Sequence, residues 1–144
     1  MNPDFVDLLR AFSAADVRFM IVGAYALAFH GRPRATGDLD VWVDATPENA
    51  HRVMRALAAF GAPMGDLREA DFERPGVTYQ IGLPPVRIDI LTDLTGLSFT
   101  EAWPTRTTGA FGDIEVPFID RASFVRNKRA VGRPKDVADL EGLE

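Results

Sequence analysis

Between residues 37 and 44 the chain reads Gly-Asp-Leu-Asp-Val-Trp-Val-Asp. Leu39, Val41 and Val43 alternate with Asp38, Asp40 and Trp42, the period of a strand whose two faces meet different surroundings. Positions i and i+2 share a face, so Asp38 and Asp40 stand side by side. Two carboxylates about 4 Å apart repel by roughly 1 kcal/mol in water and about 4 kcal/mol at an effective dielectric of 20. Two solvated acids on an edge strand would tolerate that. A divalent cation would turn it into attraction, and oxygen ligands in a chain without cysteine suit Mg2+ or Mn2+.

Helix and strand signals surround this segment. Asn2 and Pro3 look like a helix cap and first residue, and Phe5, Leu8, Leu9 and Phe12 recur at helical spacing to about Ala15. Arg18 to Val22 reads as a short buried strand that Gly23 breaks, with a helix following from Ala24 to His30. Gly31-Arg32-Pro33 ends that helix. Thr46-Pro47-Glu48 starts another, with Val53, Leu57 and Phe60 as its apolar stripe and Gly61 as its stop. Residues 62–76 read as loop. Strands are predicted at Val77–Ile81 and Val86–Leu91, joined through Gly82-Leu83-Pro84-Pro85, and another at Ile114–Ile119. Residues 92–112 carry no clear period. Asp120 caps a helix reaching Val131, Gly132 ends it, and Pro134 opens a short last helix. This order predicts an α/β (α+β) fold, a small mixed β-sheet with helices packed on it.

The chain has 144 residues, 47% hydrophobic and 26% charged, about one domain's worth of an ordinary globule. At that length roughly 68–70% of the unfolded surface can be buried, so the core needs no staple. The absence of cysteine removes disulfides, thiolate metal sites and thiol nucleophiles. No apolar run approaches the roughly 18 residues of a membrane span, and the start, MNPDFVDLLR, puts acids where a signal peptide carries positive charge. A soluble, cytoplasmic protein is expected. Its net charge of −5 disfavours wholesale duplex binding. The charge is uneven, however. Arg121, Arg126, Lys128, Arg129, Arg133 and Lys135 fall in one stretch without an acid, which suits either a solvated helix face or a surface for phosphates.

Other proteins use a D-x-D string, and its surroundings discriminate among them. A calcium loop needs glycine at its sixth position; here that position is Val43, inside the strand. A haloacid-dehalogenase-like phosphatase carries its acids at the carboxyl end of a strand, whereas here the apolar residues follow the pair. Sugar-nucleotide transferases need a longer chain. A third acid is available in Arg87-Ile88-Asp89-Ile90-Leu91. If that strand pairs beside 39–43, Asp89 reaches the cations held by Asp38 and Asp40; otherwise Asp89 serves as a partner for Arg87 or another arginine. Asp44 and Asp93 lie past the ends of their strands, as turn residues do. Gly23 stands where a strand meets a helix, and the unpaired first N–H groups of a helix attract anions. Glycine is needed there if a phosphate is to approach the backbone closely. Arg32, Arg34 and Thr36, just before the paired acids, could face a polyphosphate. His51 lies on the polar side of its helix, and His30 sits roughly 10 Å along its helix from Gly23, so a structural role suits it better than catalysis.

Together, strand-Gly-Ala-helix, then Arg-Ala-Thr-Gly-Asp-Leu-Asp-Val, then the lone Arg-Ile-Asp-Ile strand resemble the nucleotidyltransferase superfamily (DNA polymerase beta-like). Within it, the closer resemblance is to small prokaryotic AbiEii-like, toxin-type members, through VGAYALAFHGRPRATGDLDVWV and the late NKRAVGRPKDVADL. The resemblance spans about residues 17 to 141. It implies a single domain over 1–144, with the helices of 120–144 completing a nucleotide pocket. It further implies transfer of NMP from an NTP to a hydroxyl on a tRNA 3′ end or a protein, in the toxin of a toxin–antitoxin or phage-defence pair with its cognate antitoxin. Asp38, Asp40 and Asp89 would be the metal ligands and catalytic acids, with Lys128 beside them. Gly23, Ala24, Arg34, Thr36, Lys128 and Asp136 would bind the nucleotide. Ala24 departs from the Gly or Ser usual in the superfamily and offers phosphate only its backbone N–H. The alternative is a catalytically idle nucleotide- or partner-binding module on the same fold.

Overall fold

The computed structural model describes residues 2–31, 37–83, 86–141 and 143. Helix α1 (Pro3–Ala14) leads into β1 (Phe19–Val22), α2 (Gly23–Phe29), β2 (Asp38–Val43) and α3 (Pro47–Phe60). A 3₁₀ turn (Glu69–Glu73) precedes the pair β3 (Thr78–Leu83) and β4 (Val86–Leu91). After α4 (Phe99–Ala102) and a short 3₁₀ turn come β5 (Thr107–Phe111), β6 (Ile114–Phe118), α5 (Arg121–Val131) and α6 (Pro134–Glu141). The six strands form one mixed sheet in the order β3-β4-β2-β1-β6-β5. No helix among the described residues is long and apolar enough to cross a membrane.

Local chemistry sets most helix ends. The Asn2 side chain accepts from the Asp4 N–H at 2.8 Å and Pro3 follows it. Thr46 caps α3 through the Asn49 N–H, and Gly61 closes that helix in the left-handed conformation at φ +87°. Asp120 and Gly132 do the same for α5. Phe5, Leu8, Leu9 and Phe12 of α1 and Val53 and Leu57 of α3 join Leu39, Val41 and Val43 of β2 in one buried core. Asn49 ties α3 to the sheet. Its Oδ1 accepts from the Arg18 N–H at 2.7 Å, while its Nδ2 donates to the Arg18 and Asp44 carbonyls at 3.1 and 2.9 Å. This buried amide is therefore fully employed, as a polar group in a core must be.

The structure departs from the sequence-based expectations in three places. Residues 62–76 are not all loop, because Phe72 is buried by the 3₁₀ turn of 69–73. The stretch 92–112 holds α4, capped reciprocally by Ser98 and Glu101, and the whole of β5. Strand β3 runs on through Gly82 and Leu83 instead of turning there. Gly82 sits at φ +87°, and a Cβ on it would lie 2.9 Å from the Val86 carbonyl oxygen, so the hairpin closes only with glycine at that point.

Candidate active site

The site is a product of register. Strands β2 and β4 run parallel, with Asp38 opposite Arg87 and Asp40 opposite Asp89. Residues two apart share a face, so three carboxylates and one guanidinium occupy four adjoining positions on one side of the sheet. Trp42, next on that face, is buried and meets Phe99 of α4 edge-on at 5.2 Å. The apolar residues thus close the lower end of this face, and the charges lie at the end from which β2 and β4 begin. Asp38, Asp40 and Asp89, foreseen as a convergent set, do lie together.

Arg87 belongs to the same cluster. Its Nε donates to Asp89 Oδ1 at 2.7 Å and its Nη2 to Asp89 Oδ2 at 3.1 Å, a bidentate pair. The same Nη2 reaches Asp38 Oδ2 at 3.4 Å. The partnership of Arg87 with Asp89 was an expected alternative; its reach to Asp38 follows from the register and was not foreseen. Asp89 is 8% exposed, and an anion so far from water needs this compensation.

Asp40 sits against the start of α2. Gly23 ends β1 at φ +66°, and a Cβ there would come within 2.1 Å of Asp40 Oδ2. Glycine was expected in order to admit a phosphate. Within the protein itself the room it leaves is taken by a carboxylate, which faces the first turn of a helix that has no side-chain cap. Burial first, then the charges of Asp89 and Asp38, push the Asp40 carboxyl up to about 6, against the pull of Lys128 and Arg87. Between the ordinary value of 3.8 and about 6 the folded protein therefore holds a proton that the unfolded chain has released. The stabilisation this brings is full below that ordinary value and is lost as pH rises through the folded one.

The third component comes from the carboxyl-terminal helices. Asn127 of α5 donates to the Thr95 carbonyl at 2.9 Å, in the loop that leaves β4. Gly96 in that loop lies so close that a Cβ would be 2.5 Å from that of Ala130. This contact fastens α5 to the loop after β4. The Lys128 side chain is 12% exposed, lies 5.4 Å from the Phe124 ring centre, and acts on Asp40 through its charge. Asp136, at the start of α6, is wholly buried and holds Lys128 Nζ at 3.3 Å. It also accepts from Arg133 Nε at 2.7 Å and from the Arg133 N–H at 3.2 Å. Those hydrogen bonds hold its carboxyl down at about 2, so its contribution to stability persists above the ordinary carboxylate range and is lost as pH falls through 2. The signal for this role of Arg133 in the sequence is Arg133-Pro-Lys-Asp136, which carries the spacing of a helix start.

Other candidates divide plainly. Arg32, Arg34 and Thr36 lie outside the described residues. Ala24 is in the first turn of α2 beside Gly23. His30 Nε2 is 2.7 Å from the Ile119 carbonyl, and His51 pairs with Glu69 at 2.9 Å. Within the cationic stretch, Arg126 is paired with Glu101 at 3.0 Å, and Lys128 and Arg133 with Asp136. At least three of those six charges, Arg126, Lys128 and Arg133, are thus met by the protein's own acids.

The donor set has the chemistry of a hard divalent-cation site, carboxylate oxygens from two adjacent strands held behind by a glycine. Among the described residues, no three histidine, aspartate or glutamate side chains already form a metal-holding group, and Arg87 lies between Asp89 and Asp38. The residues fit such an ion by identity and placement, with Arg87 as the group that must give way.

No family model and no curated protein sequence matches the chain. Solved structures do. A provisionally assigned nucleotidyltransferase from Thermotoga maritima superposes with a TM-score of 0.61 at 13% identity, over 98% of this chain and 92% of that one. The lincosamide antibiotic adenylyltransferase LnuA, in its lincomycin-bound form, gives 0.63 at 14% identity, over 99% and 96%. The chain has the nucleotidyltransferase fold.

Proposed function

We propose that this chain is a metal-dependent nucleotidyltransferase that moves NMP from an NTP to a hydroxyl acceptor and releases pyrophosphate. The observation carrying this reading is the position of Asp89 directly opposite Asp40, on the face that Asp38 shares. Asp38, Asp40 and Asp89 would hold Mg2+ or Mn2+, which when bound neutralises phosphate charge and makes a hydroxyl more acidic. Gly23 and Ala24 would offer backbone N–H groups from the first turn of α2 to the β and γ phosphates. Lys128 would meet negative charge as it develops, the role in which a fixed cation contributes most. Asp136 would serve by holding Lys128 in place, since its oxygens are already engaged. Arg34 and Thr36 remain candidates for phosphate contact on the strength of their sequence position.

One of the structural neighbours, an antibiotic adenylyltransferase, supports the reaction class by its own activity. The acceptor is proposed as a tRNA 3′ end or a protein hydroxyl, and the chain as the toxin of a toxin–antitoxin or phage-defence pair, on the AbiEii-like pattern of its first and last motifs. The hold of Arg87 on both oxygens of Asp89 favours a second reading, a catalytically idle nucleotide- or partner-binding module. Incubation with each NTP labelled at the α-phosphate, Mg2+, and RNA or protein separates them. A transferase leaves label covalently on the acceptor. Bound but never transferred label, in every combination, would overturn the enzyme reading.

A further inference from the structure

We propose that Arg87 is a built-in counter-ion that competes with the divalent cation for the acid cluster and so sets how tightly the cation binds. The proposal rests on the reading of Asp38, Asp40 and Asp89 as cation ligands. Both oxygens of Asp89 accept from the Arg87 fork, at 2.7 and 3.1 Å, and the same guanidinium reaches Asp38 at 3.4 Å. The geometry has a local cause. Arg87 and Asp89 are two apart on β4 and therefore neighbours on one face, and the parallel register puts Asp38 across from Arg87.

A cation that takes an oxygen from Asp89 must displace at least one arm of that fork. Charge-assisted pairs of this kind are among the stronger hydrogen bonds, so their loss opposes cation binding. Linkage makes the effect reciprocal: whatever the cation loses in affinity to Arg87, Arg87 loses in its hold on the acids when the cation is bound. Arg87 has somewhere to go. Its side chain is 25% exposed, and its cross-strand neighbour on β3 is Gly82, which has no side chain to block it. The arrangement keeps three carboxylates compatible with a folded sheet before any cation arrives. It also explains why arginine stands at a position where a more open acid cluster would bind metal more tightly.

The test is calorimetric titration of the full chain with MnCl2 and with MgCl2, alongside thermal midpoints measured with and without 10 mM of either salt (about that concentration, chosen to saturate a weak site). Arg87→Met is expected to bind the cation about tenfold more tightly, the order expected when one charge-assisted hydrogen bond no longer has to be broken. Its midpoint without cation should fall, and added cation should raise it by more than in the parent protein. Arg87→Lys keeps the charge and loses the bidentate fork, so it should fold without cation and bind with an intermediate gain. Unchanged or weaker affinity in both variants would overturn the role of Arg87 while leaving the cation site standing. Absence of binding in the parent and in both variants would overturn the cation reading itself, and this proposal with it.

Discussion

Asp89→Asn is expected to lower NMP transfer by about a thousandfold, the order of 4 kcal/mol of transition-state stabilisation, while the protein stays folded. Asparagine has nearly the shape of aspartate, so the packing of β4 against β2 and β3 is kept. What changes is charge. Asp89 lies opposite Asp40 in the register and is the acid supplied by a separate segment of chain. Without it, two carboxylates on a single strand must hold whatever the site binds. Folding is spared because the loss is shared. Arg87 keeps its contact with Asp38 and its access to water, and Asp40 is relieved of one repelling neighbour. The checks are label transfer and a thermal midpoint. Transfer within tenfold of the parent would remove Asp89 from the chemistry, and a collapsed midpoint would show that its role is in folding.

Gly23→Ala carries the second large effect, and it acts on structure and site together. A left-handed conformation costs a non-glycine residue roughly 1–2 kcal/mol, and Gly23 is held at φ +66°. The added Cβ would also lie 2.1 Å from Asp40 Oδ2, so either the carboxylate or the first turn of α2 must move. The expected outcome is a loss of about 2–4 kcal/mol in stability, within the range of strain and overpacking, and at least a hundredfold loss of transfer. Gly61→Ala separates the two causes. Gly61 has φ +87° but nothing within 4 Å of its would-be Cβ. It should lose stability to strain alone, by about 1–2 kcal/mol, and keep its activity. Denaturant unfolding and label transfer on both variants decide the matter; equal loss of activity in the two would mean that Asp40 is not what Gly23 protects.

Much of this architecture was legible in the sequence because the signals are local. Asn2-Pro3, Thr46-Pro47 with Gly61, and Asp120 with Gly132 mark helix ends through side-chain and backbone chemistry confined to a few residues. The alternation over 38–43 shows on its face which residues share a side. Strand β5 was illegible for the opposite reason. Thr107-Thr-Gly-Ala-Phe111 has no strong period of its own, and it is a strand because β6 pairs with it from Thr107↔Phe118 to Phe111↔Ile114. Ser98 and Glu101 did carry a readable helix start, a reciprocal cap that the apolar pattern around it obscures.

The candidate site divides along the same line. That Asp38 and Asp40 are neighbours follows from spacing alone. That Asp89 falls opposite Asp40, and Arg87 opposite Asp38, depends on β4 reaching β2 by way of α3 and the β3–β4 hairpin, which no short window contains. The tie between Asp136 and Lys128 likewise needs two helices to meet. Gly23 is legible as a strand–helix junction, but the carboxylate it accommodates comes from the neighbouring strand, so its stronger constraint exists only in the assembled sheet.

The most direct test of the central claim uses Mn2+ as a paramagnetic probe. In two-dimensional amide spectra of the isotope-labelled chain, substoichiometric MnCl2 should broaden first the resonances around Asp38, Asp40 and Asp89, with Gly23 and Ala24 beside them. Asp89→Asn should weaken that pattern. Broadening centred elsewhere, or none that responds to the loss of Asp89, would contradict the account.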